Sequence, residues 1–486
     1  MNRPLRRMSA ALMVLFALLL LNANWLQTVR AGSLNQRPGN ARILLQQYSN
    51  ERGPILVAGD SIARSVATKG EYKYLRQYPD KALYSQITGY FSLFDKTGIE
   101  RTQNSVLAGT DDRLFIRRAI DLLSGKDRQG GAVQLTLDPA AQRAATKGLA
   151  NVGGKGAVVA LDPRTGAILA MQSAPSYDPN PLAAHKGSTV QQAYDKLNKD
   201  PDKPLLNRAA SETYPPGSTF KLVTAAAALS SGRYTADGVV PGPAVLDLPQ
   251  TTSDLPNENR APCAGDGKPT LTEALRYSCN TSFGAVGLDL GDAALRDQAE
   301  KFGFGRDDIG QDLTTATSRF PGQLNAPQTA QSAIGQFDVA ATPLQMAMVA
   351  AAIANGGKVM QPYLVDRILA PDLSQLDRAE PEELDSAVTP QVASALTAMM
   401  VDVVKNGTGK NAQMSGVTVA GKTGTAQVGN GKKPHAWFVS FAPAEDPKVA
   451  VAVLVENGAG NNEVSGGRLA APIAKSVMQA VLGGTS

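Results

Sequence analysis

Ser218 and Lys221 stand three residues apart in the run Tyr214-Pro215-Pro216-Gly217-Ser218-Thr219-Phe220-Lys221. Residues three apart on a helix share a face. A serine hydroxyl is a weak nucleophile at its free pKa and needs a base beside it. A lysine one turn further on can be that base. A helix N-terminus also favours the negative charge that develops during attack. Pro-Pro-Gly cannot be helix interior, whereas Leu222 to Leu229 can, so Ser218 is predicted at a helix start. This is the only Ser-x-x-Lys in the chain. Chance alone supplies about one such pattern in a chain of this length, and an N-cap serine with an exposed lysine fits it as well.

Two further elements change the weight of the first. Ser278-Cys279-Asn280 is a Ser-x-Asn; Ser33-Leu34-Asn35 also matches but adjoins the apolar N-terminal run and is set aside. Lys422-Thr423-Gly424-Thr425 lies in a strand-like segment and occurs once. Lys422 with the hydroxyls of Thr423 and Thr425 could grip a carboxylate, and Gly424 would let a substrate backbone approach closely. Alone, the segment reads equally as an exposed edge strand. Ser-x-x-Lys, Ser-x-Asn and Lys-Thr-Gly together, in this order, are the signature of β-lactamases and penicillin-binding proteins. With them the chain resembles a class B penicillin-binding protein, a peptidoglycan D,D-transpeptidase, of the short actinobacterial penicillin-binding protein A type. Leu206-Asn207-Arg208-Ala209, Ala333-Ile334-Gly335-Gln336, Thr342-Pro343-Leu344-Gln345-Met346-Ala347 and Ala436-Trp437-Phe438 fit the same family. The likeness runs from the N-terminus to the C-terminus and is densest from Gly156 onward.

The resemblance implies roles at the matching positions. Ser218 would attack the D-Ala-D-Ala carbonyl of a stem peptide and become acylated, with Lys221 taking its proton, although the acylation base is disputed among these enzymes. Ser278 would relay a proton to the leaving D-Ala, and Asn280 would hold Lys221 and the substrate amide. Lys422, Thr423 and Thr425, with Gly424 between them, would bind the terminal carboxylate. The backbone N–H groups of Ser218 and Thr425 would form the oxyanion hole, where one donor is worth about 3 kcal/mol. The amine of a second stem peptide would then take the acyl group, and β-lactams would leave Ser218 stably acylated. No cofactor and no metal is implied. Implied partners are peptidoglycan stem peptides, β-lactams as covalent inhibitors, and proteins of the division or elongation machinery. The implied fold is α/β (α+β): a transpeptidase domain with an antiparallel sheet flanked by helices, a smaller mixed N-terminal domain and a membrane anchor.

The elements that must position these residues are read from pattern. Three segments are expected: an anchor over residues 1–32, an N-terminal pedestal or dimerisation-like domain over 33–150, and the penicillin-binding domain over 151–486. Within the second, Pro54-Ile55-Leu56-Val57 is strand-like, and Ala132 to Leu137 alternates as a half-buried strand. Tyr72, Tyr74, Tyr78, Tyr84 and Tyr90 are taken as packing and surface residues. Ala140 to Ala150 reads as an Ala-rich helix, and Gly153-Gly154-Lys155-Gly156 as a hinge. Ala157 to Leu161 and Ala167 to Met171, joined by Asp162-Pro163-Arg164-Thr165-Gly166, read as a β-hairpin. Ser173 to Leu205 is expected to be irregular. Ala341 to Ala354 is a helix closed by Asn355-Gly356-Gly357. Val417 to Val428, Ala436 to Phe441 and Val449 to Glu456 are strands, and Ala470 to Leu482 is a covering helix.

Arg3, Arg6 and Arg7 precede an apolar run from Ala10 to Leu21 that continues more loosely to Leu26. Positive charge before an apolar segment keeps that end in the cytoplasm and sends the rest across. The strict run fits a signal-peptide core, with Val29-Arg30-Ala31 at cleavage spacing. Met8 to Leu26 reaches spanning length and favours an uncleaved single-pass anchor with Trp25 at the interface. Either way the remaining chain is exported. There Cys263 and Cys279 can form a disulfide, whose loop closure would contribute about 3 kcal/mol; two buried thiols are the alternative. Neither their spacing nor the ligand count suits zinc.

His185 and His435 are the only histidines. A Ser218–His435–Asp triad is disfavoured, because no Gly-x-Ser-x-Gly elbow surrounds Ser218 and Lys221 already supplies a base. A net charge of +5 over 486 residues offers no electrostatic case for nucleic acid. The segment before the hinge is too short for a glycosyltransferase domain. Two other readings compete. One is a hydrolase, either a D,D-carboxypeptidase or a β-lactamase, because the motifs do not decide whether water or an amine resolves the acyl-enzyme. The other is a non-catalytic division scaffold or β-lactam sensor; the few residues before the apolar run leave a sensor little to signal with.

Overall fold

The computed structural model describes residues 3–30, 45, 47–115, 128–429, 431–461 and 463–483. Its central sheet comprises β1 (Gly156–Leu161), β2 (Ile168–Ala174), β3 (Ala420–Ala426), β4 (His435–Ala442) and β5 (Val449–Val455). The strand order is β3-β4-β5-β1-β2, with every neighbour antiparallel. Residues alternate faces along a strand. Val158, Ala160, Val451 and Val453 therefore point to one layer, while Ala157, Val159, Ala450, Ala452 and Leu454 point to the other.

The first layer is filled by helices α1 (Pro139–Asn151) and α6 (Ala471–Gly483), through Ala141, Ala145, Leu149, Ile473, Val477 and Met478. The Asp138 carboxylate caps α1 by accepting from Ala140 N–H and Ala141 N–H at 2.7 and 2.8 Å, with Pro139 opening the helix. Against the other face lies α5 (Pro343–Ala354), buried over almost its whole length. A helix apolar all round belongs in a core. The small residues Ala450 and Ala452 let it come close to the sheet.

A second sheet has six strands in the order Gln375–Arg378, Val365–Leu369, Ala132–Leu135, Ile55–Val57, Asp60–Ala67, Tyr74–Gln77. Ala132–Leu135 is flanked on both sides and buried at all four positions, not half-buried as its alternation predicts. Val133 and Leu135 enter the apolar core, and Ala132 and Gln134 on the opposite face are covered too, so neither face is left to water. Two elements cross the boundary expected at 150/151. Helix α1 packs on the central sheet, and Val365–Leu369 completes the N-terminal one.

Ser173 to Leu205, expected to be irregular, contains the helix Gly187–Asn198. Only Val190 is fully buried there; Ala193 and Leu197 pack beside Leu182 and Tyr90. So sparse an apolar stripe is hard to read among Gln, Asp and Lys residues. Arg3–Thr28 forms a helix of 26 residues with none buried, the one helix among the described residues long and apolar enough to cross a membrane. At 1.5 Å per residue it is about 39 Å long, against a hydrocarbon core of about 30 Å.

Candidate active site

Ser218 lies in a single 3₁₀ turn, Gly217–Thr219, that feeds helix α2 (Lys221–Ser230), as its place after Pro-Pro-Gly implies. Three contacts hold that turn. Tyr214 and Ala341 exchange backbone hydrogen bonds at 2.9 Å. The Trp437 indole donates to Pro215 O at 3.0 Å, and Gly217 N–H donates to Gly335 O at 2.9 Å. Gly217 has φ +52, and a Cβ there would stand 2.8 Å from Thr425 O. Only glycine adopts this backbone cheaply, and its bareness lets the turn abut the end of β3.

Ser278 sits between helices α3 (Leu271–Arg276) and α4 (Asn280–Leu290), and Asn280 opens α4. Ser278 N–H donates to Leu275 O and Cys279 N–H to Ala274 O, at 3.2 and 2.9 Å. That pair of bonds is a Schellman ending of α3. It forces the next residue into left-handed backbone, normally glycine's place, and here the residue is Ser278 with φ +60. Cys279, the following residue, is disulfide-bonded to Cys263. The bridge thus pins the residue adjoining a strained serine.

Two lysines converge on that serine. Lys221 and Lys422 are both fully buried. Lys221 Nζ donates to Ser278 O at 2.6 Å and Asn280 Oδ1 at 2.8 Å, and lies 3.4 Å from Ser278 Oγ. Lys422 Nζ donates to Ser278 Oγ and to Thr423 O, each at 2.8 Å. Burial drives the Lys221 amine well below the ordinary lysine range, and the charge of Lys422 drives it further down, against an opposing pull from Glu258. Burial lowers Lys422 to about 7, with Glu258 again opposing. A neutral amine keeps two N–H donors and one lone pair. The two short bonds of Lys221 use its donors and leave the lone pair for a hydroxyl proton. Among the described residues, Ser218 Oγ makes no hydrogen bond. Such contacts often close only when substrate is bound.

β3 carries Lys422 to Thr425 on the edge of the sheet, so its outer backbone groups are not taken by a neighbouring strand. Thr423 Oγ1 is 2.6 Å from Thr408 Oγ1. Gly424 differs from expectation in its reason. A Cβ there would meet Thr219 Cγ2 at 2.9 Å, Trp437 Cβ at 3.0 Å and Pro216 O at 3.2 Å. The missing side chain faces the Ser218 turn inside the protein, and it lets strand and turn touch. A Cβ on Gly466 would lie 2.7 Å from Gly424 O and 1.9 Å from Trp437 O, so this glycine packs on the same backbone.

Ser218, Ser278, Asn280, Thr423, Gly424 and Thr425 all line one cleft of about 710 Å³, and the two lysines lie beneath it. The cleft also includes Gln336, from the stretch Ala333-Ile334-Gly335-Gln336, and Glu258, Arg260, Tyr277, Thr408 and Gly466, none of which sequence reasoning singled out. Only the pair Gly466-Gly467 carried a signal, of the kind that marks close backbone approach. His435 opens β4 and belongs elsewhere: its Nδ1 accepts from Asn457 N–H at 2.9 Å and its ring meets Tyr214 edge-on. Burial lowers it to about 4.

Known proteins match both parts of the chain. Residues 156–479 match the penicillin binding protein transpeptidase domain, and residues 52–133 the penicillin binding protein A dimerisation domain. The chain is 46% identical to peptidoglycan D,D-transpeptidase PbpA of Mycolicibacterium smegmatis, over 99% of each chain. It is 45% identical to the Mycobacterium tuberculosis protein of the same name, over 100% of each. Penicillin-binding protein A from M. tuberculosis, solved as a ceftriaxone acyl-enzyme complex, superposes with TM-score 0.88 at 44% identity, over 90% of this chain and 100% of that one. Its penicillin G acyl-enzyme complex gives 0.85 at 44% identity, over 89% and 100%.

Proposed function

Since the chain belongs to the penicillin-binding protein transpeptidase family, we propose that it is a serine D,D-transpeptidase that crosslinks peptidoglycan stem peptides and is acylated by β-lactams. The observation that carries this reading is the pair of buried lysines on either side of Ser278 in the cleft that Ser218 lines. Neutral Lys221 takes the Ser218 proton as Oγ attacks the penultimate D-Ala carbonyl. The backbone N–H groups of Ser218 and Thr425 receive the oxyanion, a reading supported by the close approach of the Gly217 turn to Thr425. Charged Lys422, with Thr423 and Thr425, holds the terminal carboxylate. Ser278 passes a proton to the departing D-Ala amine. Asn280 orients Lys221. The acceptor amine then displaces Ser218.

Arg3–Thr28 anchors the chain once in the cell membrane, with Arg3, Arg6 and Arg7 inside and the catalytic domain outside; its length and apolar character support this. The segment 33–150 is the pedestal that docks division or elongation partners, a reading supported by the dimerisation-domain match at 52–133. The penicillin-binding domain follows from 151.

Benzylpenicillin treatment followed by peptide mass mapping tests acylation. The expected result is one stable adduct on Ser218, absent from Ser218→Ala. An unlabelled Ser218 overturns the reading, and rapid loss of the adduct means a β-lactamase. With a stem-peptide donor, release of D-Ala without transfer to any amine means a carboxypeptidase.

A further inference from the structure

The acyl-enzyme must discriminate an incoming amine from water, and none of the motif residues carries a charge suited to that amine. At neutral pH an alkylamine arrives as an ammonium. Charged Lys422 repels it, so productive approach needs a carboxylate at the cleft. Among the described residues that line the cleft, Glu258 is the only one.

Its placement is built into the fold. Glu258 is the second residue of a tight turn closed by Arg260 N–H donating to Asn257 O at 3.0 Å. Asn257 is buried, and its Oδ1 accepts from the Thr281 N–H and hydroxyl at 3.1 and 3.2 Å. Its Nδ2 donates to Pro243 O and Ala261 O. Asn280 Nδ2 donates to Pro256 O at 3.2 Å. Cys263–Cys279 ties the far end of the segment to the residue between Ser278 and Asn280. The turn is thus held from both sides by the start of α4, the element that also bears the motif. Glu258 itself is exposed to the cleft, and its charge reaches both lysines.

We propose that Glu258 is the acceptor-binding carboxylate, docking the ammonium of the second stem peptide beside the Ser218 acyl-ester. This rests on the transpeptidase reading above. The docked ammonium loses one proton to solvent through the exposed carboxylate. The free amine attacks the ester carbonyl, a C–N bond forms and the C–Oγ bond breaks. The second amine proton goes to Ser218 Oγ through Lys221.

The test uses the full chain in detergent, a D-Ala-D-Ala stem-peptide donor, and two acceptors: glycinamide, largely cationic at neutral pH, and hydroxylamine, uncharged there. Glu258→Gln should raise the KM for glycinamide about fivefold, the size of a solvent-exposed ion pair. Hydroxylamine transfer and benzylpenicillin acylation of Ser218 should persist, and Glu258→Asp should restore part of the glycinamide affinity. Equal losses with both acceptors would reassign Glu258 to the lysine electrostatics or to folding, and no loss with either would overturn the proposal. If the unmodified chain transfers to neither amine, the transpeptidase reading falls, and this one with it.

Discussion

Lys422 Nζ donates to Ser278 Oγ at 2.8 Å, and the same hydroxyl lies 3.4 Å from Lys221 Nζ. One serine thus bridges two buried amines that the proposed mechanism needs in opposite states. Lys221 must be neutral to accept a proton, and Lys422 must be charged to hold a carboxylate. The pair can meet both demands because the charge of Lys422 helps push the Lys221 proton off first.

A pH dependence follows. Lys422 loses its charge as pH rises through about 7. Acylation kcat/KM reports the free enzyme. For benzylpenicillin it should therefore decline above that pH, since its carboxylate loses its partner. The methyl ester of the same compound, slower throughout, should lack the decline. Covalent-labelling rates across the neutral range check this, and parallel profiles for acid and ester would remove Lys422 from carboxylate recognition.

The left-handed backbone of Ser278 gives a second expectation. A non-glycine residue there costs about 1 kcal/mol. Ser278→Gly should therefore raise the melting temperature while lowering the acylation rate by about 10²-fold or more, as loss of a proton relay does. A variant that acylates normally would show the hydroxyl to be a bystander.

How much of this was legible beforehand depends on the range of each signal. The catalytic elements were legible because local chemistry dictates them: Pro-Pro-Gly ends before α2, and the apolar alternation of β4 and β5 needs no long-range knowledge. The membership of Val365–Leu369 in the N-terminal sheet was not, because strand pairing across more than two hundred residues leaves no trace in either strand. Gly424 shows the limit within a motif. It was read as room for a substrate backbone, whereas the neighbour its missing side chain admits, Thr219 on the Ser218 turn, is known only from the fold. Glu258 was invisible because an acidic residue in a polar loop looks like surface.

The disulfide closes a loop of sequence separation 16 that contains α3 and Ser278. Cys279→Ser should lower stability by about 3 kcal/mol without abolishing Ser218 acylation, and Cys263→Ser should match it. Calorimetry of the oxidised, reduced and variant proteins decides. Identical melting of oxidised and reduced chains would leave the bridge without a stabilising role.

The last expectation concerns the N-terminal module, where Glu100, on the short helix Gly98–Thr102, is fully buried between two arginines. Arg52 Nε and Arg76 Nε each donate to one of its oxygens at 2.6 Å, and the Tyr78 hydroxyl donates at 3.2 Å. Burial alone would raise the Glu100 carboxyl, but Arg76 and Arg52 outweigh it and hold it below the ordinary range. A group with a depressed folded pKa contributes stability above its unfolded pKa of about 4.3 and loses it as pH falls through the folded value. Glu100→Gln leaves two guanidiniums buried without a counter-charge, a loss of about 3–5 kcal/mol. Hydrogen exchange should show strands Ile55–Val57 and Tyr74–Gln77 losing protection at pH 7, with a smaller difference from the parent in acid. The Ser218 cleft lies on the other sheet, so penicillin labelling in the cold should survive. Unchanged protection of those strands would mean that packing, rather than the ion cluster, holds the N-terminal module together.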